Sequence, residues 1–283
     1  MKLATLRVDG TTRAVALDGD DLVDLGTTDV GAFLTAPDWA SLAAAAVQDA
    51  SATRYAVEGA DVAPLVPAPS KVVCVGLNYR NHIQEMGRDL PEHPTLFSKF
   101  SDTLIGAGDP IVRPPETDEF DWEVELAVVV GTQVRRASVE EAEQAIAGFT
   151  VLNDITCRDW QFRSREWLQG KNWDNTTPVG PYLVTPDELP GGVRPALQVS
   201  LTVDGEVMQS DTTADLLFDP VALVQYVSTM VRLNPGDVIA TGTPGGVGHA
   251  RNPKRYLVGG ETVIAEIEGI GRLENLVVKE EVR

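Results

Sequence analysis

Residues 121–131 read DWEVELAVVVG. Because side chains alternate across a strand, Val124, Leu126, Val128 and Val130 form one apolar row, while the opposite row begins with Glu123 and Glu125. Two carboxylates at i and i+2 sit roughly 7 Å apart along a strand. A lone Glu-x-Glu is usually a solvated face, since charged side chains are mostly exposed. Asp154 alters that balance. It ends another apolar strand, FTVLND (149–154), where a side chain can point across the mouth of a sheet. If the three converge, each pair at ~4 Å repels by roughly 4 kcal/mol in a medium of effective dielectric about 20. Such a cluster must take up protons or hold a cation. All-oxygen ligands with no neighbouring Cys or His favour Mg²⁺ or Mn²⁺ over zinc.

The rest of the composition excludes several functions. A chain of 283 residues, 43% of them hydrophobic, has ample material for a sizeable core in one large domain, or one large and one small. Its net charge of -19 argues against nucleic acid and against an anionic membrane surface as partners. Cys74 and Cys157 are the only cysteines, too few for a disulfide framework, and no C-x-x-C pair suggests zinc. Both are read as buried thiols in a reducing compartment. The opening MKLATLRVDG alternates like a strand and lacks the continuous apolar core of a signal peptide, and no later apolar run approaches the ~18 residues of a membrane span. The expected location is cytoplasmic.

Along the chain, strands are expected at 2–8 and 13–17, then an alanine-rich helical segment from about Asp29 to Ala52. Pro64, Pro67 and Pro69 mark a boundary, giving a small N-terminal α+β domain (1–69) and a larger catalytic domain (70–283). In the latter, KVVCVGLNY begins with a buried-type strand. Ser138 with Glu141 forms a capping-box pattern for a helix over 139–147. The segment Arg158–Gln169 reads as a helix stopped by Gly170. Asp219 followed by Pro220 reads as the start of a helix ending near Leu233, and GDVIATG as a further strand. Strands do not alternate strictly with long helices, so a doubly wound parallel sheet is disfavoured and a mixed, mainly β, α+β fold is expected.

Other polar residues compete for roles. His82 and Glu85, three apart in LNYRNHIQEMG, would meet on one helical turn, where a carboxylate can orient an imidazole as a general base; the alternative is an ordinary surface pair. His93 and His249 lie in loops without comparable neighbours and read as surface residues. Lys171, in QGKNWDN, could stabilise a substrate carboxylate or a developing enolate, or be a solvated loop lysine. TGTPGGVG (241–248) lacks the G-x-G-x-x-G spacing of a dinucleotide site, which disfavours a nicotinamide-dependent reductase. A tight loop offering backbone amides and Thr243 to an anion remains compatible. Cys157 lies near Asp154 but has no other mark of a nucleophile.

Five stretches, VGLNYRNHIQEMG, FDWEVELAVVVG, VLNDITCRDWQ, GKNWDNTTPVGPYLVT and NPGDVIATGTPGGVG, together resemble the fumarylacetoacetate hydrolase family, in order and from about residue 70 onward. The resemblance implies a mixed β-roll catalytic domain, a homodimer, and Mg²⁺ or Mn²⁺ held by Glu123, Glu125 and Asp154. It also implies that His82 and Glu85 activate water on a segment closing over substrate. Arg158, Gln161, Lys171 and Thr243 would hold the oxo-acid end, with residues 86–98 lining the substrate tail. The implied activity is metal-dependent hydrolysis of a carbon-carbon bond in a small 2,4-dioxo acid, such as an acylpyruvate or fumarylpyruvate, through a stabilised enolate. Alternatives are isomerisation of a hydroxymuconate-type diacid, decarboxylation of oxaloacetate, and an oxo-acid binding protein without catalysis. Arg88 and Lys99 stand as candidates to pair with a second substrate carboxylate, or as solvated surface charges.

Overall fold

The computed structural model of the chain describes residues 1–85, 87 and 89–281, and of residue 85 the backbone alone. The strand that carries the glutamates, Val124–Val130, pairs antiparallel with Ile146–Asn153, with Val124 opposite Asn153 and Glu125 opposite Leu152. On its other edge it pairs with Val238–Ala240, which runs parallel to Val72–Gly76, followed by Thr95–Lys99. In the opposite direction the order continues through Thr177–Val184, Lys2–Val8, Thr11–Asp18, Asp21–Asp24 and Arg54–Ala56. Among the described residues this makes an eleven-stranded mixed sheet, with Leu104–Ile105 alongside Thr177–Val184. A second sheet of five strands comprises Ile111–Arg113, Gln198–Val203, Glu206–Thr212, Thr262–Ile267 and Gly271–Lys279.

Both faces of the glutamate strand are covered, which explains why both of its side-chain rows turn apolar. Val124, Leu126, Val128 and Val130 share a core with Val199, Leu201, Ala265 and Leu273 of the five-stranded sheet. Ala127 and Val129, which continue the row of Glu125, pack with Leu3, Val30, Phe33 and Leu65 from the N-terminal region. The carboxylates therefore sit at the end of a strand that water reaches on neither face. The fold is mainly β, as the sequence pattern predicts.

Helices follow their local signals where those signals are strong. The Ser138–Glu141 capping box forms and opens Val139–Ala145, and Asp219 caps Pro220–Met230 by accepting the Ala222 amide at 2.9 Å. Two expected long helices are instead broken. The alanine-rich segment forms Val30–Phe33 and Trp39–Gln48, with Pro37 in between, whose ring removes an amide donor and disfavours helix in the residue before it. The segment after Cys157 forms two single turns, Arg158–Gln161 and Leu168–Lys171. Gly170 is not a helix stop. A Cβ there would lie 2.6 Å from the Gln161 amide nitrogen, so glycine is what lets the two turns touch.

The entry to the short helix Arg80–Glu85 is tied down by buried polar contacts. The Asn78 amide group donates to the carbonyls of Phe218 (3.0 Å) and Thr241 (2.8 Å) and accepts from the Phe218 N–H (2.8 Å). Arg80 donates to the carbonyls of Asp215, Leu216 and Leu217. Asn78→Ala would leave buried carbonyls and an amide without partners, at about 1–3 kcal/mol for each group not rehydrated. Urea unfolding is expected to show at least about 2 kcal/mol of destabilisation with an unchanged m-value.

Candidate active site

The three acidic residues singled out above do converge. In an antiparallel pair, residues directly opposite each other share a face, and the register that sets Val124 against Asn153 brings Glu123 beside Asp154. The join is closed by the Asp154 amide donating to the Glu123 carbonyl (2.8 Å) and the Glu123 amide donating to the Asn153 side chain (3.0 Å). Glu125, two residues along, projects from the same face as Glu123. One carboxylate oxygen from each of Glu123, Glu125 and Asp154 lies within 4.8 Å of the other two, and all three residues are buried.

Buried cations surround them. Lys171 Nζ bridges Glu123 Oε2 and Asp154 Oδ2, both at 2.7 Å. Lys99 Nζ donates to Asp154 Oδ1 (2.7 Å) and to the Ile155 carbonyl (3.2 Å). Arg158 places Nε on Asp121 Oδ2 (2.8 Å), Nη1 on Gln161 Oε1 (3.0 Å) and Nη2 on Glu123 Oε1 (2.6 Å). Four buried carboxylates thus face three buried cations, and one negative charge is left over. It falls on Glu125, whose single described bond is from the Gly242 amide (2.7 Å). Burial, then the charges of Asp154 and Glu123, push its carboxyl well above the usual range. Burial also opposes the charge on Asp154, but Lys171 and Lys99 outweigh it and hold that carboxyl below its ordinary value.

This donor set fits a divalent cation. Three convergent carboxylates supply hard oxygen ligands, and the excess charge at Glu125 calls for either a proton or a metal ion. Glu123, Glu125 and Asp154 would hold it.

Glu123 and Glu125, with Arg158 and Lys171, line a cavity of about 290 Å³, and Asp154 lies behind them. Also lining it are His82, Phe97, Gln161, Phe162, Trp167, Thr243 and His249. Phe97 and Trp167 meet edge to face at 5.5 Å, and Lys171 Nζ lies 5.0 Å from the Phe97 ring centre. Of residues 86–98, Phe97 is the one that reaches the cavity among those described. His82 lines the cavity; the side chain of Glu85, and Arg88, lie outside the described residues.

Three readings from sequence change. Lys99 is neither a surface charge nor a partner for a substrate carboxylate; it is buried on Asp154. The anions that the 241–248 loop holds by backbone amides are the protein's own, Glu125 on Gly242 and Asp121 on Gly248. Gly242 takes φ +99° to do so, and a Cβ there would sit 2.9 Å from the Val75 carbonyl. Thr243 lines the cavity, but its hydroxyl donates to the Val124 carbonyl and accepts from Gln209, which leaves one lone pair for any ligand. His249, read as a surface residue, also lines the cavity, with Nδ1 2.9 Å from the Tyr256 hydroxyl. Asp121 was not singled out either, yet it is fully buried and accepts from Arg158 and from the amides of Trp122, Gly248 and His249. Its aspartate type just before Trp-Glu carried no separate signal. Cys157 is buried and pushed up to about 12 by desolvation, which suits an inert thiol.

Glu125→Gln keeps the Gly242 hydrogen bond and removes the surplus charge. Calorimetric titration with Mn²⁺ is expected to show at least a tenfold loss of affinity with the fold intact. Undiminished binding would mean that the carboxylates do not form a cation site.

The chain matches the fumarylacetoacetate (FAA) hydrolase C-terminal family over residues 71–278. It is 44% identical over 214 residues to the oxaloacetate tautomerase Fahd2a, mitochondrial, of Rattus norvegicus, covering 75% of this chain and 68% of that protein. Among solved structures, the fumarylacetoacetate hydrolase of psychrophilic Exiguobacterium antarcticum superposes with a TM-score of 0.85 at 32% identity, over 99% of this chain and all of that one. The maleylpyruvate hydrolase of Sphingobium sp. SYK-6, in complex with manganese(II) and pyruvate, gives 0.82 at 26% identity over the same shares. The rat, bovine and human relatives are designated mitochondrial, which overturns the expectation of a cytoplasmic location. Buried free thiols suit the reducing interior of either compartment, and the finding that no described helix is long and apolar enough to cross a membrane does not separate them. The order of the five stretches, the fold and the match over residues 71–278 agree: the chain belongs to the fumarylacetoacetate hydrolase family.

Proposed function

We propose that this protein interconverts the keto and enol forms of a small 2-oxo acid of the oxaloacetate type. The observation that carries the reading is the cavity lined by Glu123, Glu125, Arg158 and Lys171, with Asp154 buried behind Lys171. A small pocket with buried cations at one wall suits a compact anion whose oxo oxygen gains negative charge during the reaction. The tautomerase activity named for the rat relative agrees with that chemistry and favours the isomerase alternative over carbon-carbon hydrolysis.

When bound, a divalent cation would supply Lewis-acid polarisation of the substrate's carboxylate and oxo oxygens. The protein's own residues do the rest. Lys171 lends positive potential to the oxo oxygen as charge accumulates there. Arg158, held on three sides by Asp121, Gln161 and Glu123, orients Glu123 and contributes its charge from a fixed position. Phe97 and Trp167 exclude water from the inner wall, which strengthens every one of these electrostatic effects. A proton must then leave the carbon beside the oxo group and reach the oxygen, or the reverse.

Hydrolysis of an acylpyruvate is the second reading. The presence of His82 at the same cavity favours it, since cleavage needs a base for an attacking water and tautomerisation does not. The two readings separate on one variant and one panel. Oxaloacetate tautomerisation and acylpyruvate cleavage are followed by enol absorbance with product identification, with Mg²⁺ or Mn²⁺ and after chelation. Tautomerisation is expected to dominate, to vanish with chelator and to return with either metal. His82→Ala is expected to lower cleavage by about two to four orders of magnitude and tautomerisation by less than tenfold. An acylpyruvate kcat/KM far above that for oxaloacetate would transfer the assignment to hydrolysis.

A further inference from the structure

Resting on the tautomerase reading, we propose that His249 is the residue that carries the proton between carbon and oxygen of the substrate. The imidazole lines the same cavity as the carboxylates and Lys171. One ring nitrogen is fixed by a hydroxyl, and among the described residues the other faces only the end of an exposed lysine side chain. His249 Nδ1 is 2.9 Å from the Tyr256 hydroxyl and 3.7 Å from Glu119 Oε2. The Lys254 ammonium, which can only donate, lies 3.5 Å from Nε2, so in the neutral imidazole Nε2 carries the lone pair and Nδ1 the hydrogen. Lys254 is exposed, and its side chain swings aside when Nε2 takes the proton.

The mounting is equally specific. The His249 amide donates to Asp121 Oδ2 at 3.0 Å, and the same oxygen accepts from Arg158 Nε at 2.8 Å. One buried carboxylate oxygen therefore couples the backbone of this histidine to the guanidinium that orients Glu123. The Phe162 ring sits 5.2 Å from the imidazole and limits how far it can swing. The charged and titratable groups facing it are Lys254 and Tyr256 on its own segment, and Glu119, Asp121 and Arg158 from the neighbouring ones.

The step balances without any co-reactant. In the keto-to-enol direction the carbon–hydrogen bond beside the oxo group breaks and an Nε2–H bond forms. The carbon pair becomes the new carbon–carbon double bond, and the former carbonyl pair moves to oxygen. Nε2–H then gives its proton to that oxygen. Nothing is oxidised or reduced, and the imidazole ends as it began.

Burial first, then Lys254 and Arg158, pull His249 below its ordinary value, so it is neutral and able to accept a proton near pH 7. Activity should fall with decreasing pH as the ring becomes protonated, on a limb below about 6.5, the unperturbed histidine value. Lys254 is exposed, and Lys254→Met removes one of the lowering charges. The limb should then move to higher pH, which a purely structural histidine would not cause.

The test is steady-state tautomerisation of oxaloacetate across pH 5–8 by the metal-loaded wild type, His249→Asn and Lys254→Met, with Mn²⁺ affinity measured alongside. His249→Asn is expected to lose about two to four orders of magnitude in kcat, to lose the acid limb and to keep its Mn²⁺ affinity. If that variant does not fold, the direction of the Lys254→Met limb decides alone. Wild-type rate and pH profile in His249→Asn, or an unmoved limb in Lys254→Met, would overturn the role of His249 and leave the tautomerase reading standing. A wild type that cleaves acylpyruvates but does not tautomerise oxaloacetate would overturn both.

Discussion

The antiparallel register that sets Val124 opposite Asn153 places the whole acidic centre. Side chains in a strand alternate, so slipping this pairing by one residue would turn Glu123 and Glu125 away from Asp154 and move their apolar neighbours out of two cores at once. The register is held by both faces together. Val124 to Val130 are buried against the five-stranded sheet on one side, and Ala127 and Val129 against the N-terminal region on the other. The Asn153 side chain on the Glu123 amide and the Asp154 amide on the Glu123 carbonyl add local pins at the strand end. The site is accurate because the core around it tolerates no slippage.

Burying that centre sets up an electrostatic conflict that the fold resolves incompletely. Carboxylates taken out of water are costly unless paired, and removing one partner of such a pair commonly costs 3–5 kcal/mol. Lys99, Arg158 and Lys171 answer the charges of Asp121, Glu123 and Asp154, while among the described contacts Glu125 has one backbone amide and no Lys or Arg ion pair. A fully neutralised cluster would have no use for a metal ion. Leaving one carboxylate short of a partner gives the cavity an affinity for a proton or a hard cation at a defined point. It also explains why Lys171 can serve two ends, as a strut between Glu123 and Asp154 and as positive potential at the cavity wall.

The outer part of the cavity is organised by loops, and the order there comes from close approach rather than from regular structure. Gly170 permits the turn of Lys171 to sit on the turn of Arg158 and Gln161. Gly242 permits a left-handed backbone that turns an amide toward Glu125. Asp121 gathers Arg158 and the segment 248–249 onto one carboxylate. Through that residue the backbone of His249 is joined to Arg158, and by the Arg158–Glu123 ion pair to the acidic centre.

Periodicity and local signals in the sequence were sufficient for the glutamate strand, the capped helices at Ser138 and Asp219, the mainly β character and the candidacy of Glu123, Glu125, Asp154, Lys171 and His82. Each of these rests on residues adjacent in the chain, or on an apolar strand ending in a carboxylate. The breaks at Pro37 and between Gln161 and Leu168 were harder to read, because helix length depends on what the segment packs against. His249 was not legible as a site residue at all, and Lys99 was legible only as a possible partner for a substrate carboxylate, not for Asp154. A lysine ending the strand Thr95–Lys99 looks like any surface lysine until Asp154, 55 residues away, is placed against it. A histidine in a glycine-rich loop has no distinguishing neighbour in sequence until Glu119 and Tyr256 are folded around it. The sequence by itself determined which residues form the strands and which carboxylates could meet; the tertiary structure alone decided which charges pair and which is left over, because pairing energy depends on distance and burial, and neither is a property of sequence spacing.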